Sequence, residues 1–188
     1  MNFRFRRSRV AIAIVTAVAV TSVGATVAVA TSTTPAGGSF RVFGVSNGLG
    51  PGGTVLLTGA IGDHGRSQTV NKAGKPNSNG GYVKLRLSQG TLMLSKTKLD
   101  SAINKAFNSA TLNSATCSLS VAASGTLPFV SGTGMYAGAS GSAHLTVAVG
   151  LILPRSKTGA NAGKCNTSNS ATPVASRQIV YGTGNVSF

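Results

Sequence analysis

Beyond the first thirty residues, and apart from one segment, the apolar residues of this 188-residue chain recur at every second position in short runs. Glycine- or proline-bearing turn chemistry closes most of these runs. Side chains repeating with period two line one face of a strand, so such a chain must fold by pairing strands. Phe40–Val45 alternates and carries apolar side chains on both faces. The stretch Asn47-Gly48-Leu49-Gly50-Pro51-Gly52-Gly53 then predicts a turn before a second strand at Thr54–Ile61. Gly62-Asp63-His64-Gly65 predicts a turn into Arg66–Lys72, a more polar strand expected at a sheet edge. After a loop with Lys75-Pro76-Asn77 as its turn signal, Tyr82–Leu87 puts Val83, Leu85 and Leu87 inward and Lys84 and Arg86 outward. Gln89-Gly90 returns it as a hairpin into Thr91–Ser95. Further strands are expected at Ala115–Ala123, Gly125–Val130 and Ser142–Leu153, then one or two over Arg177–Phe188. Pro154–Thr172 predicts a long exposed loop.

The exceptional segment has helical period. Leu99, Ala102, Ile103, Ala106 and Phe107 form the apolar stripe of one short amphipathic helix, with Thr97 as N-cap and Asp100 in the first turn. About eight strands and one helix, with no helix between successive strands, predict an all-β antiparallel barrel. The domain expected to hold it is residues 40–188, after a flexible leader at 31–39.

The first thirty residues follow another logic. Arg4, Arg6, Arg7 and Arg9 precede an apolar stretch from Val10 through Val20, and small residues lead to Ala28-Val29-Ala30. That is the pattern of an export signal cleaved after Ala30, with Ala28 as the lesser position. The alternative, an uncleaved anchor, fits the weakly apolar Ala/Val/Thr composition less well. Residues after Arg6-Arg7 suit the twin-arginine route poorly, which favours general secretion. The expected location is extracellular or in the cell envelope, with no transmembrane segment in the mature chain.

Seventeen Lys and Arg stand against two acids, Asp63 and Asp100, for a net charge of +15. Removing the four leader arginines still leaves a net +11. Such a chain associates with anionic surfaces, or uses its lysines as a solvated exterior. The two cysteines, Cys117 and Cys165, are expected to form a disulfide in an oxidising compartment.

Candidate chemistry is sparse. Asp63, His64 and Arg66 are the one cluster able to orient a base and balance a charge. His144 lies among Ala143, Leu145 and Val147 and is a candidate for the lumen, with Arg177 at its mouth. Asp100 is better explained by the helix than as half of a carboxylate pair. No nucleophile elbow or phosphate loop occurs, and Gly48-x-Gly50-x-Gly52 has no helix after it. Tyr82, Lys84 and Arg86 share one strand face, but aromatics are too few to favour nucleic acid. No catalytic residue, metal site or cofactor is assigned.

Gly132-Thr133-Gly134-Met135-Tyr136-Ala137-Gly138-Ala139-Ser140-Gly141-Ser142 resembles the glycine-spaced signature of the allene oxide cyclase-like barrels, which include dirigent proteins. In that signature Gly132, Gly134, Gly138 and Gly141 bend the strand and Tyr136 fills the space beside them. The mature chain also resembles uncharacterised secreted bacterial proteins of that type. The resemblance implies a barrel, and for related proteins it implies cyclisation or radical orientation in the lumen. Neither catalytic set is matched here. The expectation is a secreted basic barrel that binds a small apolar ligand or an anionic envelope surface without catalysis. A cyclase, isomerase or radical-orienting protein, and a structural cell-wall protein, are the alternatives.

Overall fold

The computed structural model describes residues 36–47, 52–168 and 170–188. The export segment, the cleavage position, residues 31–35 of the leader and the centre of the first turn at 48–51 lie outside the described residues.

Eight strands close into an antiparallel barrel in which each pairs with its successor and the last with the first. They are β1 (Gly38–Asn47), β2 (Gly52–Gly59), β3 (Asp63–Val70), β4 (Tyr82–Leu87), β5 (Gly90–Ser95), β6 (Ser118–Gly134), β7 (Ser140–Ile152) and β8 (Ala175–Ser187). One helix, α1 (Thr97–Ser109), joins β5 to β6. Closure explains one correction: the polar β3 is not an edge, because it pairs with β2 on one side and β4 on the other. Its Arg66 is exposed on the outer wall instead, with the half-buried Gln68 on the same face.

Period-two burial follows the sequence. Along β7, Ala143, Leu145, Val147, Val149 and Leu151 are buried while His144 between them is exposed. Phe40 and Val42 of β1, Val55 and Leu57 of β2, and Leu92 and Leu94 of β5 complete the inner surface. The two strands expected on either side of Ser124 are one, because Gly125 keeps its ladder place opposite Leu145. The C-terminal segment likewise forms one strand.

The helix begins differently from expectation. Lys96, not Thr97, is the N-cap, and it makes no side-chain cap bond. The Asp100 amide donates to the Lys96 carbonyl and closes the first turn, while Lys96 Nζ donates to Asp100 Oδ2 at 2.6 Å. Leu99 is buried against the core, with Ile103, Ala106 and Phe107 packed on the same stripe. Gly125 makes that seating possible. It shares the inward face of β6 with Val121 and Leu127, and a Cβ there would lie 2.9 Å from Leu99 Cα.

Cys117 and Cys165 form the disulfide, with Cα atoms 5.3 Å apart. It ties the β7–β8 loop to the segment between α1 and β6. Arg155 reinforces the tie by donating to the carbonyls of Ala115 at 2.7 Å and Gly163 at 2.6 Å. Among the described residues no helix is long and apolar enough to cross a membrane.

Candidate functional site

The strand order gives the barrel two unlike ends. At one end lie the β2–β3, β4–β5 and β6–β7 connections; at the other lie the β1–β2, β3–β4, β5–β6 and β7–β8 connections, the third of them carrying α1.

Tyr136 plugs the first end. The chain turns over Met135–Ala139, bringing the Tyr136 carbonyl so close to Gly132 that a Cβ there would overlap it. Gly134 takes φ +62°, open to glycine without strain. The tyrosine is 2% exposed, its ring lies beside Phe188, and its hydroxyl donates to Asp63 Oδ2 at 2.6 Å. Asp63 also accepts from the His64 amide, the Ser88 amide and hydroxyl, and the Gln89 amide. Burial alone would raise its carboxyl pKa. The bonds from Ser88, Tyr136, His64 and Gln89 outweigh burial and hold the group well below the ordinary carboxylate range. Burial, then the bond and charge of Asp63, push the Tyr136 phenol well above its ordinary value. This carboxylate is fully engaged as a structural anchor.

The second end opens into a cavity of about 300 Å³. Val42, Val55, Leu85, Leu127, Leu145 and Val147 form its apolar wall, and Leu99 and Ile103 of α1 close one side. Polar groups gather near the mouth: Ser67, Thr69, Ser78, Gln178 and the Lys96–Asp100 ion pair. The arrangement suits a ligand with an apolar body and a hydrogen-bonding end.

The sequence candidates do not assemble into one site. Asp63 is the first residue of β3 rather than part of a loop, and it points inward while its neighbour His64 points out. Their closest ring-to-carboxylate approach is 3.9 Å. Arg66 is exposed on the outer wall directly across from Arg86. His144 is also outside rather than in the lumen, because Ala143 and Leu145 take the inward positions. Its Nδ1 meets Thr126 Oγ1 at 3.2 Å across β6 and β7. Arg177 is exposed on the outer face of β8, while its neighbour Gln178 lines the cavity. Sequence reasoning missed Lys96, Gln178, Thr69 and Ser78 as rim residues. For Gln178 the signal was its parity with Val180; for Lys96 it was the i,i+4 spacing to Asp100.

No protein-family model matches the chain, and neither a curated protein nor a solved structure does.

Proposed function

We propose that this protein is an exported, non-enzymatic barrel that holds a small apolar molecule in its lumen. The observation that carries the reading is the cavity of about 300 Å³, apolar along its wall and polar at one mouth. That volume falls at the small end of the ~300–1,000 Å³ that small-molecule sites occupy. Binding is favoured over cyclisation or radical orientation by the lining itself. The ionisable side chains on it, Lys96 and Asp100, neutralise each other, whereas His144 and Arg177 face outward. Export is supported by the arginine-led apolar leader and by a disulfide that an oxidising compartment would maintain. The glycine signature around Tyr136 supports kinship with allene oxide cyclase-like barrels at the level of fold.

The test is titration of the purified protein with an apolar anilinonaphthalene dye, alongside the variant Val147→Phe, which fills the lumen. The expected result is saturable one-to-one binding by the wild type and its loss in a variant that melts cooperatively. Absence of binding to the wild type, or equal binding by both, rejects the lumen as the site. Native mass spectrometry of protein from its own host then reads the mass of any bound molecule.

A further inference from the structure

The outer wall carries a second feature, independent of the lumen. Cross-strand register puts Leu56, Phe43 and Tyr181 side by side across β2, β1 and β8, and sets Val45 beside Ile179 in the adjoining row. All five are about half exposed. Basic residues surround them. Arg41 lies two residues before Phe43 on the same outer face, Arg177 lies two residues before Ile179, His64 pairs with Leu56, and Arg66 pairs with Thr54 next to Val45. Arg66 in turn faces Arg86, a like-charged cross-strand pair that is unfavourable until an anion lies against it. The chain has no acid to offer: Asp63 is buried among its donors and Asp100 is joined to Lys96.

We infer that this face docks on an anionic phospholipid bilayer, with Phe43, Tyr181 and their apolar neighbours entering the interface and the arginines meeting lipid phosphates. Two arguments select a bilayer over a second copy of the chain. An isologous pairing would set one basic rim against another, and no surface of this chain supplies side-chain carboxylates to relieve it. Five half-exposed apolar side chains also amount to roughly 400 Å² on ordinary side-chain areas. A specific protein interface covers ~800 Å² per partner, so a second copy would have to bring the charged rim into the contact as well. An interfacial anchor needs less, because anionic lipid adds attraction at each nearby arginine.

The experiment is co-sedimentation of protein purified from its host with vesicles of phosphatidylglycerol and phosphatidylcholine, and with phosphatidylcholine alone. Expected is binding to the anionic vesicles that weakens with salt and is much weaker on the neutral ones. Arg41→Gln with Arg66→Gln should reduce it about 30-fold, from the attraction each arginine contributes near an anionic surface. Phe43→Ser with Tyr181→Ser should reduce it roughly tenfold through lost apolar insertion. Lys157→Gln with Lys164→Gln removes the same charge from the β7–β8 loop and should leave binding nearly intact. Equal binding to both vesicle types overturns the inference, as does an equal loss in the lysine pair and the arginine pair. A concentration-dependent dimer in light scattering that Phe43→Ser abolishes would overturn it too, by giving the face to a second copy. Matching melting curves for all variants exclude misfolding as the cause, and dye binding in the lumen should be unaltered throughout.

Discussion

The Tyr136 hydroxyl bonds to the Asp63 carboxylate at 2.6 Å across 73 residues of chain, joining the β6–β7 turn to the start of β3. Because Asp63 also accepts from Ser88 and Gln89, one carboxylate pins three connections at the same end of the barrel. Tyr136→Phe keeps the ring and removes one donor from a buried charge. It should destabilise by about 1.5–3 kcal/mol. Asp63→Ala strands several donors at once and should cost about 3–5 kcal/mol, read as midpoint shifts in urea unfolding.

The same pair sets a pH window. The Asp63 carboxyl is held below its ordinary 3.8, so its stabilisation is complete above that value and is lost as pH falls through the lower folded value. Tyr136 is raised above its ordinary 10.0, so its contribution is complete below 10.0 and is lost as pH rises through the higher folded value. Thermal midpoints should therefore stay level on account of this pair between those two values and fall outside them. In Asp63→Asn the acid-side fall attributable to this group should disappear.

Much of the barrel was legible because strand burial obeys period two. Leu85 and Leu94 are inside because their neighbours are polar or face outward, and the Tyr82–Leu87 and Gly90–Ser95 hairpin needed little else. The site was less legible for two physical reasons. First, a turn tetrad such as Gly62-Asp63-His64-Gly65 does not reveal that the chain has already entered the ladder at Asp63. Second, parity errs by a whole face when a strand's phase is anchored on a polar residue. Hence His144 reads as a candidate for the lumen, although buried Ala143 and Leu145 flank it. Partners far apart in sequence, such as Tyr136 with Asp63, leave no local periodic trace.

Gly125 offers a test of how the helix shapes the cavity. A Cβ at this position would press on Leu99 Cα at 2.9 Å, and that atom belongs to backbone that cannot swing aside. Gly125→Val should therefore lift the first turn of α1 away from β6, at roughly 1–3 kcal/mol of overpacking strain. Leu99 and Ile103 line the lumen, so dye affinity should change together with stability. Hydrogen exchange should locate the added mobility in Thr97–Ser109 rather than in the ladder.

Reduction of Cys117–Cys165 should separate stability from binding. The bond closes 48 residues, and in the chain-entropy model its loss removes about 4 kcal/mol. Arg155 still holds the loop through Ala115 and Gly163, so the loop should loosen without peeling β7 from β8. Lys157 and Lys164 should become faster sites of limited tryptic cleavage in the reduced protein. None of the described residues lining the lumen comes from the β7–β8 loop, so reduction should lower the melting midpoint while leaving dye affinity unchanged at temperatures where the barrel remains folded. A parallel loss of affinity would mean that the disulfide also controls the mouth, by fixing the segment that follows α1.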